Sequence, residues 1–310
     1  MPRIVGLLDK RIVVVTGKGG VGKTTVSLAL GLAAARAGKR VIVCEVSSQE
    51  NAARIFDRPP IGFNEVELRK NLWAISIDPD HSMREYLELQ LPVKAMSDLL
   101  YKSRVFNYLA AATPGLREMV TIGKIWELAL ETRKKKRATP YDVVIVDAPA
   151  TGHGVGFLQT PRTFAEIARV GPMSKQAARI DATLTDPNET GVAIVALPEE
   201  MPVNESAKLE RDLIDDVGIC VDAVYMNAVF PERFSKQEIK QIEAARGGAD
   251  GSAEVALSAA VDQSRRAAAH REQLDRLREL VQTPVSELPY AFSPKLGPAQ
   301  IQELSEAFDG

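Results

Sequence analysis

Residues 17–25 read GKGGVGKTT, a run that holds the spacing GxxxxGK[ST] in Gly17, Gly22, Lys23 and Thr24. Glycines at these positions let the backbone fold around an anion with successive N–H groups turned inward. A helix starting here presents its positive end to the same anion. Lys23 can then reach β- and γ-phosphate oxygens, and the Thr24 hydroxyl can ligate Mg²⁺. The expected nucleotide-binding residues are therefore Gly17, Lys18, Gly19, Gly20, Val21, Gly22, Lys23, Thr24 and Thr25. Asp147 is the second metal candidate. It ends the apolar run VVIVD, and a carboxylate at the carboxyl end of a sheet strand is placed to hold Mg²⁺ through water. Lys18 and Lys23 together would offset more developing phosphate charge than one lysine alone, so the expected catalytic residues are Lys18, Lys23 and Asp147.

These residues need a scaffold. Residues 12–15 (IVVV) form a short, continuously apolar run, which suits a strand buried on both faces of a parallel sheet. Residues 24–37 are rich in Leu and Ala and stop at Gly38, the composition and end of a helix. Further strands are expected at 41–44, 72–77, 142–146, 192–197, 223–226 and near 283–288. Residues 80–136 are helical in character: Val93, Met96, Leu99 and Leu100 share one helical face, and Met119, Ile122, Trp126 and Leu130 another. Pro92 and Pro114–Gly115 divide the stretch into about three helices. A long alanine-rich helix is expected over 253–281. The alternation predicts an α/β fold, a mostly parallel sheet flanked by helices on both faces. It also predicts one domain over 1–310 with a helical insertion subdomain at about 80–136.

The composition narrows the function. The 310 residues carry 39 Lys plus Arg and 41 Asp plus Glu, a net charge of −2. That balance argues against broad binding to nucleic acid or anionic membrane. Only Cys44 and Cys220 are present, which excludes a disulfide framework and fits a reducing compartment. Both are expected to be buried small hydrophobes. No run of ~18 apolar residues predicts a membrane span, and charged residues follow residue 8 at once, unlike a secretory signal. The expected location is the cytoplasm.

Lys18 makes the loop GKGGxGK[ST], which resembles the deviant phosphate loop of the SIMIBI class of P-loop NTPases. The resemblance implies that Lys18 reaches across a dimer interface to the partner's nucleotide. Asp147-Ala-Pro-Ala-Thr-Gly-His153 resembles the DTAPTGH switch II of the arsenite-pump and tail-anchored-protein-targeting ATPase family, the ArsA family. Ile77-Asp-Pro-Asp-His-Ser82, Leu197-Pro-Glu-Glu200 and Leu288-Pro-Tyr-Ala-Phe-Ser-Pro294 are similar to family segments in the same order. Ala112-Thr-Pro-Gly-Leu116 with Gly123-Lys-Ile125 is most similar to the actinobacterial anion-transporter ATPase branch. The resemblance covers most of residues 11–300. It implies ATP and Mg²⁺ as cofactors, ATP hydrolysis, a homodimer or a heterodimer with a paralogous ATPase, and a protein or membrane-associated client. It also implies that Asn227 reads the adenine edge and that Pro289 neighbours the ring.

The chain departs from that pattern in places. The family's switch I carries an Asp that positions the attacking water, and alignment on Phe56 puts Ser47 there. A serine can orient water but cannot act as a carboxylate base, help worth about 10²–10⁴-fold. Either Glu45 or Glu50 substitutes, or hydrolysis is slow, as in a regulatory subunit paired with a paralogue. No CxxC pair exists for an interfacial zinc, and two scattered thiols do not make an arsenite site. The insertion offers Met83, Met96 and Met119 with several leucines, a stripe that suits helix packing or an apolar client groove. The run at 133–137 (RKKKR) reads as a solvated helix end. A ParA-like partitioning ATPase would need a basic face that only this run supplies.

Overall fold

The apolar runs form strands whose alternate side chains enter two different cores. The computed structural model describes residues 6–46, 50–90, 103, 104, 112–133, 138–168 and 171–308. In chain order the elements are β1 (Ile12–Thr16), α1 (Lys23–Arg36), β2 (Val41–Glu45), α2 (Asn51–Ile55), β3 (Val66–Arg69) and β4 (Leu72–Ser76). Next come α3 (Pro79–Gln90), α4 (Leu116–Ala129), β5 (Val143–Asp147), α5 (Thr151–Ala168), α6 (Pro172–Thr185), β6 (Thr190–Ala196) and α7 (Glu200–Asp212). A π-helical turn over Leu213–Val217 follows, then β7 (Val221–Val229), α8 (Lys236–Arg246), α9 (Gly251–Leu280), β8 (Val285–Pro289) and α10 (Pro298–Glu306).

The strands make one eight-stranded sheet in the order β3-β4-β2-β5-β1-β6-β7-β8. Every pairing is parallel except β3 with β4. Ile12, Val14, Val144, Val146, Val192 and Ile194 point to the face covered by α4, α5, α6, α7 and α9. Val13, Val15, Val143, Ile145, Ala193 and Val195 point to the face covered by α1, α2 and α10. Burial on both faces explains why these strands read as unbroken apolar runs rather than alternating ones.

All seven expected strands are present. The eighth, β3, was not foreseen. It is four residues long with only Leu68 buried, too short and too exposed to leave an alternating signal, and it is the antiparallel edge. The long helix runs over Gly251–Leu280, close to the expected 253–281. Before it lies α8, which buries no residue. Its only sequence mark is the Ser235–Glu238 capping box, the S-x-x-E signature of a helix start.

Between β4 and β5 the described helices are α3 and α4. Met119 and Ile122 are buried in the core, and Trp126 packs against it. The face proposed on Val93, Met96, Leu99 and Leu100 lies outside the described residues. Met83 and Leu87 are buried in a small satellite cluster with Leu116 and Val120, which is helix packing. Leu89 is exposed.

Two readings need correction. Cys220 is exposed, whereas Cys44 is buried as expected; Cys220 falls just before β7, where the chain enters the sheet. Arg133 is not part of a solvated helix end. α4 stops four residues earlier, and the Arg133 side chain is 1% exposed. It grips Glu65 with two bonds of 2.7 and 2.9 Å and also donates to Glu127. Lys124 extends the network to Glu85 and Glu127, and the Tyr141 hydroxyl donates to Glu65. The charges on α3 and α4 are thereby tied to the β3 edge of the sheet. Residues 134–137 lie outside the described residues. Among the described residues no helix is long and apolar enough to cross a membrane.

Candidate functional site

The phosphate loop connects β1 to α1 at the carboxyl edge of the sheet. Two of its glycines are required by close approach. Gly17 has φ +144°, and a Cβ there would sit 2.3 Å from the Val195 carbonyl oxygen. Gly22 has φ +90°, and its Cβ would sit 2.4 Å from the Asn227 side-chain nitrogen. L side chains avoid such backbone conformations. Gly22 is also the N-cap of α1, with no side chain capping the helix and no acidic residue in its first turn. The free N–H groups of the first turn therefore face the loop, as a bound anion requires.

Lys23 is partly buried, and its ammonium donates to the backbone oxygens of Gly17 (3.1 Å) and Lys18 (3.0 Å). Burial lowers its pKa, and the nearby Asp147 charge opposes that. The Thr24 hydroxyl donates to Asp147 Oδ2 at 2.5 Å. Asp147 is 8% exposed; burial pushes its pKa up to about 6, against the Thr24 hydrogen bond and the Lys23 charge. A buried carboxylate and a hydroxyl in contact are hard oxygen donors of the kind Mg²⁺ takes alongside phosphate and water. The residues present fit the ion.

These groups open on a cleft of about 850 Å³ lined by Gly19, Gly20, Gly22, Lys23, Thr24, Thr25, Val46, Asn51, Arg54, Ile55, Asp147, Ala148, Pro149, Ala150, Pro294, Lys295 and Leu296. That volume is in the range of small-molecule sites. Its cations are Lys23, Arg54 and Lys295, and its one carboxylate among the described residues is Asp147. The excess of positive charge suits a polyphosphate. Sequence reasoning missed Asn51, Arg54 and Lys295. Arg54 donates to Asn51 at 2.6 Å, and both belong to α2, a five-residue helix without a periodic signal of its own. Val46 and Pro149 also line a second cavity of about 440 Å³ with Pro79, Arg117, Thr121 and Phe157. The segments after β2 and β5 thus stand between the cleft and the helices α3 and α4.

Other expected residues sit differently. Asn227, 9% exposed, donates through Nδ2 to the Val21 carbonyl at 2.9 Å; here it braces the loop. Pro289 is exposed at the end of β8, and the same late stretch reaches the cleft through Pro294, Lys295 and Leu296. Lys18 turns away from the cleft to pair with Glu205 of α7 at 3.0 Å and to touch the Met201 sulfur. Glu50 has φ +46° and accepts from the N–H groups of Ile61 and Gly62, both at 3.0 Å. Its carboxylate is committed to the backbone. Glu45 is wholly buried and does not line the cleft. Ser47 and the side chains of residues 151–153, His153 among them, lie outside the described residues. Asp78 of the Ile77–Ser82 segment caps α3, accepting from the N–H groups of Asp80 and His81 at 2.9 Å.

The Lys18–Glu205 pair leads to an expected result. Glu205→Gln frees Lys18 without altering the phosphate loop. On the role that the family resemblance implies for Lys18, apparent affinity for an ATP analogue should rise roughly two- to fivefold, the range set by a solvent-accessible ion pair. Fluorescence titration checks it, and the gain should vanish in a Lys18→Ala background; an equal gain with Lys18 absent contradicts the role given to this contact.

Compared with known proteins, residues 10–170 and 165–249 match the model of a family described as anion-transporting ATPase. The chain is 29% identical over 245 residues to ATPase BagA of Mycobacterium tuberculosis, covering 77% of this chain and 71% of that protein. It is 28% identical over 236 residues to the arsenical pump-driving ATPase of Acidiphilium multivorum, covering 70% and 39% respectively. It is 30% identical over 183 residues to ATPase GET3 of Chaetomium globosum, covering 56% and 51%.

Proposed function

We propose a function on one premise: the chain belongs to the anion-transporting ATPase family and is an ATP-hydrolysing enzyme of it. The finer reading is a Mg²⁺-dependent ATPase that works as a dimer and couples nucleotide-driven closing and opening to a protein or membrane-associated client. The observation that carries it is the 2.5 Å contact between the Thr24 hydroxyl and the Asp147 carboxylate, beside the Lys23 ammonium and the open end of α1. Thr24 and Asp147 would hold Mg²⁺, which when bound stabilises charge on the phosphoryl oxygens as a Lewis acid. Lys23 holds the phosphate tail in the loop. Lys18, once released from Glu205, acts on the nucleotide of a partner subunit. On the family resemblance, Asn227 is assigned the adenine edge and Pro289 a place beside the ring.

The client side is the helical insertion at about 80–136, within one domain over 1–310. Support for the coupling comes from Val46 and Pro149, which wall both the nucleotide cleft and the cavity against α3 and α4. An arsenite cargo is not favoured. Cys44 lies in β2, and Cys220 immediately precedes β7, four places along the sheet order. At about 4.8 Å per strand that is roughly 19 Å, too far for two thiolates to share one ion.

A specific observation favours a slower variant of this reading. Asp147 is the one carboxylate among the described residues lining the cleft, Glu50 is bound to backbone amides, and alignment on Phe56 puts Ser47 where the family resemblance implies a water-positioning Asp. A weakly hydrolysing subunit paired with a paralogue fits those facts. Sedimentation and single-turnover hydrolysis test both readings. The 33.7 kDa chain should double in mass with Mg²⁺ and a non-hydrolysable ATP analogue but not with ADP. A monomer under every nucleotide condition, alone and with a co-purified paralogue, defeats the dimer reading. Turnover that rises only with the paralogue selects the regulatory variant.

A further inference from the structure

We propose that Glu45 is a positioning residue for the ATPase reaction. One carboxylate oxygen holds the first turn of α2, and the other, without a hydrogen-bond partner, stands one strand from Asp147 and ties α2 to the charge of the metal site. The inference rests on the assignment of Mg²⁺ to Thr24 and Asp147 made above.

Glu45 is the last residue of β2, after four apolar residues, and its exposure is 0%. An ionisable group in that position is costly to bury unless something compensates it. Half of the compensation is visible. Oε1 accepts from the Ala52 N–H at 3.2 Å, and the Asn51 amide also favours the charged form. Oε2 is buried and has no hydrogen-bond partner. In the sheet register Glu45 sits directly beside Asp147. Aligned residues on adjacent parallel strands share a face, with strands about 4.8 Å apart. The face here is the one carrying α1 and α2, where Asp147 meets Thr24.

The neighbourhood is thus two carboxyls at adjacent strand ends, and the Lys23 ammonium that acts on Asp147 is already shared with two carbonyls. Burial, with the Asp147 charge acting in the same direction, pushes the Glu45 carboxyl up to about 7, while the Ala52 and Asn51 amides pull it down. A dication held by Asp147 and Thr24 is the missing compensation for the unpartnered oxygen. α2, for its part, has only five residues and cannot persist without tertiary anchors. Glu45 fastens its first turn, and Glu50 fastens the residue before it to Ile61 and Gly62. The helix so held carries Asn51, Arg54 and Ile55 into the cleft wall. A general base would have to reach the cleft; Glu45 stands behind its wall and acts through α2.

Two variants separate the two halves of the role. Glu45→Gln keeps an acceptor for Ala52 and removes the charge. Its Mg²⁺ affinity, read by Mn²⁺ competition in electron paramagnetic resonance with a non-hydrolysable ATP analogue, should fall roughly tenfold, while hydrogen exchange of α2 stays as in the wild type. Glu45→Ala removes both, and α2 amides should exchange about ten- to a hundredfold faster, the scale of a lost charge-assisted hydrogen bond. In that variant kcat should drop more than KM changes. Unchanged metal affinity in Glu45→Gln overturns the proposal. So does unchanged α2 exchange in a Glu45→Ala protein that melts like the wild type. A wild-type protein that binds no Mn²⁺ with the analogue overturns the metal assignment itself, a failure distinguishable from the other two.

Discussion

Replacing Lys23 by Ala is expected to abolish tight ATP binding and to lower turnover by about 10²–10³-fold, the scale of removing one preorganised donor from developing phosphoryl charge. The reason is geometric. The ammonium is the one side-chain cation fixed inside the loop, held by the Gly17 and Lys18 carbonyls at 3.1 and 3.0 Å. It sits over the N-terminal end of a helix whose first-turn N–H groups have no side-chain cap. Arg54 and Lys295 line the cleft too, but Arg54 is exposed on α2 and the Lys295 ammonium already pairs with Asp57 at 3.2 Å. Neither is placed to substitute. Lys23→Arg should fail nearly as badly, because a planar fork cannot replace a compact ammonium within the same loop. Calorimetric titration with ATP and Mg²⁺ measures the loss; affinity within a few-fold of the wild type in Lys23→Ala would refute the phosphate assignment.

The second large effect is on stability. Arg133→Ala leaves Glu65 and Glu127 with half of their partners, and breaking a buried pair from one side costs about 3–5 kcal/mol. Both carboxylates are at most 18% exposed, so solvent does little to soften the loss. Melting should fall by on the order of 5–10 °C. Arg133→Met, which keeps the volume, should lose nearly as much, since the defect is unpaired charge rather than a cavity. The pH dependence carries the same signature. Burial alone would raise the Glu65 carboxyl, but the Arg133 hydrogen bonds and charge outweigh it and hold it down to about 2. A carboxylate with a depressed folded pKa contributes stability that is present above its unfolded value of about 4.3 and is lost as pH falls toward 2. Arg133→Ala should flatten the stability profile in that window. A wild-type profile in the variant would contradict the network.

What was legible in the sequence and what was not divide along a physical line. The phosphate loop was legible because its function is a backbone conformation: glycines at fixed spacing are what positive φ and contact with Val195 and Asn227 demand. The central strands β1, β2, β5 and β6 were legible because burial on both faces leaves unbroken apolar runs. β3 and α8 left weaker marks, the one short and the other without a buried residue.

What the sequence by itself determined was thus local: the loop, Lys23, Thr24 and Asp147 as its chemistry, and a parallel sheet to carry them. Only the tertiary structure decided which distant groups meet. It gave Lys18 to Glu205, 187 residues away, and the Asn227 side chain to the loop backbone, 206 residues away. It turned Arg133 inward, tied Glu50 to the backbone, and set Glu45 beside Asp147 through the β2–β5 pairing. A charge has no periodicity of its own; its partner is fixed by strand order and helix placement, and these emerge only when the whole chain packs.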